Sequence, residues 1–398
     1  MDKNINFHKE ESSSPLERLG EASGIYIHIP FCKQACYYCD FHFSTSLKKK
    51  EELISCLVKE IEIRKEELNQ SKIETIYFGG GTPSLLSTKE IEMLVNAVYQ
   101  NHTVVEHPEI TLEANPDDLS EEKIIELSKS PINRLSIGVQ SFFEKDLKLM
   151  NRAHNATEAK KCLQTANQYF NNISVDLIYG IPDCTNEQWQ ENIATVLGFN
   201  IPHISSYALT VEEKTPLASF IKKGIIKNVD DEKAQEQFNI LIDELEKANF
   251  VHYETSNFGK ESFFSKNNSA YWLGKPYLGI GPSAHSFSSN QRSWNVRNNS
   301  KYIKTIQQNQ LPIEREILSK TDRYNEYIMT GLRTIWGVSL AKIKNDFGVQ
   351  FVDYLENQSK KYIQQELLYL ENQTLKTTKK GKFLSDGIAA DLFMLNLN

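Results

Sequence analysis

Long apolar runs are missing from this chain: nothing in it approaches the roughly 20 consecutive apolar residues that span a bilayer, so no membrane span is expected. The first twenty residues, MDKNINFHKEESSSPLERLG, mix charges and lack the apolar centre of a signal peptide, which makes a cytoplasmic location the expectation. Positive charge is also short. With 45 Lys and Arg against 52 Asp and Glu, the net charge is −7, which argues against a broad nucleic-acid-binding surface. Cysteine is scarce, six in 398 residues, and a reducing compartment keeps thiols free, so the chain is a poor disulfide framework. Cys56, Cys162 and Cys184 stand alone and read as small buried apolar residues.

What is present is an ordinary globular composition, 40% apolar and 24% charged, in a chain too long for one typical core. From Gly24 to about Thr210 short β-type runs alternate with helical patterns, the signal for βα units around a parallel sheet. Six strands are expected: Gly24 to Ile29, Glu74 to Phe78, Glu109 to Ala114, Arg134 to Val139, Ile173 to Tyr179 and His203 to Leu209. Leu53, Leu57 and Ile61 mark a helix between the first two, and further helices follow Ser87, Ser120, Asn155 and Thr185, with Ser87, Ser120 and Thr185 as N-caps. Six βα units are too few for a closed eight-stranded barrel, and periodicity leaves open a six-unit open barrel or a doubly wound sheet. Both place ligands at the C-terminal ends of the strands.

The expected organisation is a polar tail over 1–20, an α/β core over 21–250, an irregular aromatic-rich connecting segment over 251–310 and a mostly helical, winged-helix-like domain over 311–398. A helix is expected from about Asp230 to Asn249 and a polar linker near Asn298 to Gln310. From Leu318 onward eleven Lys and Arg face nine Asp and Glu, a balance too even for a DNA reader, so the ending reads as structural or regulatory.

Cys32, Cys36 and Cys39 form C-x3-C-x2-C on the loop after the first strand. Three thiolates this close converge on one centre, and soft sulfur donors suit zinc or an iron-sulfur cluster. Zinc asks for a fourth ligand, which His42 or His28 offers, whereas a four-iron cluster on three cysteines keeps one iron open to an exogenous ligand. FGGGTP, Phe78 to Pro83, ends the second strand with glycines that allow close backbone approach, and it is no Walker A loop because no Gly-Lys-Ser/Thr follows. Glu113 and Gln140 end the third and fourth strands, and Asp176 lies in the apolar fifth, where a carboxylate needs a partner or a ligand. YLGIGPSAH, Tyr277 to His285, has Gly-x-Gly but no βαβ unit after it, a weak nucleotide fingerprint.

These motifs together, YIHIPFCKQACYYCDF, YFGGGTPSLL, LEANPDDL, RLSIGVQSF, NRAHNATEA, VDLIYGIP, YALTVEEKTPL and YETSNF, resemble the radical S-adenosylmethionine (SAM) superfamily in its oxygen-independent coproporphyrinogen III oxidase-like branch. The resemblance implies an open six-unit (β/α)6 partial barrel with a winged C-terminal domain. It also implies a 4Fe-4S cluster on Cys32, Cys36 and Cys39 whose open iron binds SAM, and a low-potential flavodoxin- or ferredoxin-like donor to reduce it. Tyr26, Gly80, Gly81, Thr82 and Glu113 are then implied SAM contacts, and Gln140, Arg152, Asp176 and Ala208 match residues lining SAM sites in the oxidase.

Two features lean within that branch. The oxidases carry a fourth cysteine two positions past the third, where this chain has Phe41, and they have a longer N-terminal extension over the porphyrinogen. Both point to the sibling group of haem chaperones, which resemble radical SAM proteins but bind haem and hand it to an acceptor protein. That group typically shows His-Asn-x-x-Tyr-Trp; here Asn267 replaces the histidine while Asn268, Tyr271 and Trp272 remain, and His252, Tyr271 and His285 are the nearby candidates for a haem ligand. The alternatives are a SAM-dependent oxidative decarboxylase of coproporphyrinogen III, which leaves enzyme status open, and a zinc-stabilised binding module.

Overall fold

A computed structural model describes residues 22–68, 71–288 and 290–395; the expected polar tail over 1–20 lies outside them. Six strands, β1 (Ala22–Ile29), β2 (Lys72–Gly80), β3 (Val104–Ala114), β4 (Arg134–Gln140), β5 (Ile173–Tyr179) and β6 (His203–Ala208), run parallel in sequence order. Five cover the expected runs in full, and β6 stops one residue short, before Leu209. The curved sheet extends at both ends without closing: β7 (Val251–Glu254) and β8 (Asn257–Gly259) follow β6, while β9 (Tyr277–Ile280), β10 (His285–Ser288), β11 (Gln291–Asn295) and β12 (Ile313–Ile317) continue beyond β1. This is an open partial barrel of radical-SAM type.

The strands alternate strictly. Ile25, Ile27 and Ile29 of β1, Ile76 and Phe78 of β2, and Leu135, Ile137 and Val139 of β4 join the main core under the helices. Gly24, Tyr26 and His28, Thr75 and Tyr77, Ser136 and Gly138, and Asp176 and Tyr207 turn to the concave side and line its cavities. Each apolar side chain buried this way contributes about 1.5–3 kcal/mol relative to exposure, and a register slip of one residue would exchange the two sets.

Local signals set the helix starts. Ser87 accepts from the Glu90 amide while Glu90 reaches back to the Ser87 amide, and Asn155 with Glu158 and Thr185 with Gln188 repeat this reciprocal pair. Ser120 caps the helix Glu121–Ser128, and Asp230 caps Asp231–Lys247. The linker expected at Asn298 to Gln310 is instead largely a helix, Asn299–Gln307, capped by Asn298 and burying Tyr302, Ile303 and Ile306 on one face. Nor is the stretch over 251–310 irregular: it supplies β7 to β11, strands of three to five residues, too short to display a period.

Residues 318–392 build a second core around Tyr324, Phe347, Phe351, Leu355 and Leu375. Helices Lys320–Leu332, Leu340–Phe347 and Val349–Gln364 pack with the antiparallel strands β13 (Val338–Ser339), β14 (Leu368–Glu371) and β15 (Thr374–Thr377), the order of a winged helix. Arg333 ties this domain to the barrel: its carbonyl accepts from the Thr255 amide at 2.9 Å, and its guanidinium meets Asp386 at 2.5 Å and Glu254 at 3.5 Å.

Candidate functional site

The loop leaving β1 carries Cys32, Cys36 and Cys39, all half-buried free thiols. Main-chain bonds fix it: Cys32 N–H donates to Ser44 O at 3.1 Å, Ser44 N–H to Pro30 O at 2.9 Å and Tyr37 N–H to Met150 O at 3.1 Å. Gln34 and Asn151 brace it from the side, each amide donating to a carbonyl of the other segment at 2.9 and 2.7 Å. Burial raises the Cys32 thiol and pushes Cys39 up to about 11, so a bound cation is needed to ionise them at neutral pH.

These thiols line a pocket of about 140 Å³ together with Gly80, Gly81, Thr82, Glu113, Gln140, Arg152 and Asp176. Gly80 has φ +107°, and a Cβ there would lie 2.5 Å from the His28 ring; one on Gly81 would lie 2.6 Å from Phe31 O. The glycines therefore let the end of β2 press onto β1, where Gly81 N–H donates to Ile29 O at 2.9 Å. Gly80 N–H donates to Glu113 Oε2 at 3.1 Å, and Tyr77 O–H to Oε1 at 2.8 Å. Burial still pushes the Glu113 carboxyl up to about 7, and Asp176, beside Ser136 at 3.3 Å, to about 6. Arg152 donates to Asn115 Oδ1 at 2.6 Å, Gly138 O at 2.7 Å and Cys36 Sγ at 3.3 Å, and its buried Nε has no partner among the described residues. Gln140 stands at φ 69°, in the bulge that ends β4.

Two of the sequence candidates lie apart from this pocket. Tyr26 lines the neighbouring cavity, its hydroxyl 3.1 Å from His28 Nδ1, and Ala208 ends β6 against the main core, on neither wall. His154 is structural, bonding Val139 O at 3.0 Å.

The neighbouring cavity, about 650 Å³, shares Phe41 and Glu113 with the thiol pocket and runs along the concave face from His28 to Gly24. Tyr26, Tyr77, Tyr207, Tyr271, Trp272 and Tyr277 supply aromatic wall, and Lys275, Arg297 and Arg333 supply positive charge. The Arg333 guanidinium lies 4.8 Å from the centre of the Trp272 ring. His285 and Tyr271 line this cavity; His252 does not, being buried, stacked on Phe258 at 4.1 Å and bonded to Thr255 O and Lys382. Asn267 is on the wall, its Oδ1 accepting from Thr75 at 3.1 Å. Lys275, Arg297 and Arg333 went unnoticed in the sequence because they come from three separate late segments; Tyr77 was within reach, since alternation in ETIYF puts it beside Thr75.

The donor set fits an iron-sulfur cluster. Among the described residues no three His, Cys, Asp or Glu side chains are gathered tightly enough to hold one metal ion. A cluster asks something different of its thiolates, since each binds its own iron. His28, a fourth zinc ligand in prospect, has Nδ1 at Tyr26 and Nε2 at His42 O, 3.0 Å away, and His42 Nε2 is 2.7 Å from Asn299 Oδ1. The glycine cradle, the free Arg152 Nε and the carboxylates suit a small zwitterion such as SAM. Flat aromatic walls with cations suit a carboxylate-bearing macrocycle such as haem.

Comparison with known proteins agrees with this geometry. Residues 26–196 match the radical SAM superfamily model, and 318–384 match the HemN C-terminal domain. The heme chaperone HemW of Lactococcus lactis is 33% identical over 382 residues, covering 96% of this chain and 100% of the relative. That of Bacillus subtilis is 31% identical, covering 91% and 97%. The solved structure of the Escherichia coli coproporphyrinogen III oxidase HemN, a radical SAM enzyme, superimposes with a TM-score of 0.80 over 95% of this chain and 92% of its own, at 21% identity, a likeness of fold. No helix among the described residues is long and apolar enough to cross a membrane.

Proposed function

The chain belongs to the radical SAM superfamily and, within it, to the heme chaperone HemW family, and from that premise we propose that it carries haem to acceptor proteins. The 4Fe-4S cluster and SAM belong to the thiol pocket in this reading, with Cys32, Cys36 and Cys39 as cluster ligands, and haem to the larger cavity. When bound, the cluster supplies an open coordination position for SAM and a low-potential electron. The chain's own groups do the rest. Arg152 donates to Cys36 Sγ at 3.3 Å and so holds it in place, and Gly80, Gly81, Thr82 and Glu113 give the amino-acid end of SAM a wall of close backbone, a hydroxyl and a carboxylate. Gln140 and Asp176 complete the wall of that pocket, while Tyr26 lines the neighbouring cavity.

The observation that carries the reading is the pairing of two cavities across Phe41 and Glu113. Phe41 is 68% exposed, so the position that offers a thiol in the oxidases here offers an apolar edge at the mouth of both. A transient acceptor protein and a flavodoxin- or ferredoxin-like donor are the partners this implies. The test is anaerobic reconstitution followed by haem titration and mixing with an apo-acceptor. Stoichiometric haem binding and transfer support the chaperone. Formation of 5′-deoxyadenosine with decarboxylation of coproporphyrinogen under the same conditions would support the oxidase instead, and zinc without iron would support a binding module.

A further inference from the structure

Protein ligands to haem iron are His, Cys, Met or Tyr. Among the described residues, the wall of the larger cavity contains no Cys or Met, five tyrosines and three histidines, His28, His42 and His285. Burial raises all five phenols, Tyr26, Tyr77, Tyr207, Tyr271 and Tyr277, and so keeps them protonated and poor as ligands. Tyr77 already donates to Glu113, and Tyr26 is bonded to His28. His28 has both ring nitrogens engaged. His42 has Nε2 on Asn299, and its other nitrogen lies next to Cβ, where a macrocycle meets the main chain. His285 alone among these imidazoles makes no hydrogen bond through either ring nitrogen among the described residues.

The backbone that holds His285 is unusually well braced. His285 opens β10 opposite Trp294 of β11, the ring centres 6.1 Å apart. A Cβ on Gly279 would fall 1.9 Å from His285 O, and one on Gly281, at φ +104°, would fall 2.7 Å from His28 O. Beneath this turn Glu60 and Arg64 form a fully buried pair at 3.0 Å. Arg64 donates to Gly279 O at 2.8 Å and Ser286 Oγ at 3.1 Å. Glu60 accepts from Gly281 N–H and Asn295 Nδ2, both at 2.8 Å. A buried ion pair with its remaining donors and acceptors satisfied is costly to assemble, and here it fixes one turn, the one that sets the exposed His285 on the cavity wall.

We propose that His285 is the axial protein ligand of haem iron in the larger cavity; this rests on the haem-binding reading above. Burial and the neighbouring Arg292 lower its basicity, so the imidazole is neutral and able to ligate at physiological pH. The ligand is thus supplied by the β9–β10 turn. Asn267, on the facing helix Lys266–Trp272, offers only an amide oxygen already bonded to Thr75.

The experiment titrates the full, cluster-loaded chain with ferric haem and follows absorbance and electron paramagnetic resonance. His285→Ala is expected to lose the imidazole-ligated spectrum and about tenfold or more in haem affinity, with free imidazole restoring the spectrum and so showing an intact cavity. His42→Ala and Tyr271→Phe are expected to keep the wild-type spectrum. An unchanged spectrum in His285→Ala, or its loss in His42→Ala or Tyr271→Phe instead, overturns the assignment alone. A wild-type chain that forms no stoichiometric haem complex overturns the haem reading and the assignment together.

Discussion

Around the thiol pocket nearly every polar contact runs through main chain or a buried charge, whereas the larger cavity is walled by side chains that meet one another. Gly80 N–H on Glu113, Arg152 on Gly138 O and the Ser44 bonds hold the first at fixed distances. The second rests on aromatic contacts, such as Tyr26 on Tyr77 at 6.1 Å and Tyr271 against Trp272 at 5.0 Å, with Tyr207 and Tyr271 partly in solvent. On the proposed reading, the difference separates a site made to keep its occupant from one made to release it. A cluster and the amino-acid end of SAM need preset donors, while a cargo needs broad apolar contact and an open side.

The sharpest break falls on the cluster side. Cys36→Ala should abolish iron-sulfur binding while leaving far-ultraviolet circular dichroism unchanged and stability within about 1 kcal/mol, because Cys36 sits half-buried on a loop; full iron content after reconstitution would contradict its role. Arg152→Met strands Asn115 Oδ1 and Gly138 O and should cost about 2–4 kcal/mol in chemical denaturation, together with much of the cluster.

The pH dependence probes the same wall more gently. Glu113 holds its proton more tightly folded than unfolded, about 7 against 4.5, so stability of the cluster-free protein should fall as pH rises through that window. Glu113→Gln should remove this pH dependence, on the order of 3 kcal/mol across the window, read from denaturation at several pH values. On the cavity side the effect is smallest: Trp272→Ala removes the ring under Arg333 and should weaken haem binding by about tenfold, with iron-sulfur content unaltered. Equal damage to both sites from that variant would erase the contrast.

The rigid half of this comparison was readable from residues alone, and the loose half was not. The six parallel strands announce themselves through alternation and three helix starts through the caps Ser87, Ser120 and Thr185, while the Asn155 cap appears only in the structure. The thiol pocket was legible because its residues sit at strand ends, where a parallel sheet puts ligands, and because Cys32, Cys36 and Cys39 share one loop. The cavity draws on segments no local pattern joins: Lys275 before β9, Arg297 after β11 and Arg333 in the C-terminal domain. The helix Asn299–Gln307 was hidden by its polar composition, since three buried residues, Tyr302, Ile303 and Ile306, are all that mark its inner face. Ala208 ends β6 against the main core and lines neither cavity.

That haem and the cluster occupy separate sites is tested most directly by replacing Cys32, Cys36 and Cys39 together with Ser and titrating the variant with haem. The two-site account predicts one equivalent of haem bound with affinity within about twofold of the wild type, although no cluster is present. Loss of haem binding along with the cluster would contradict it.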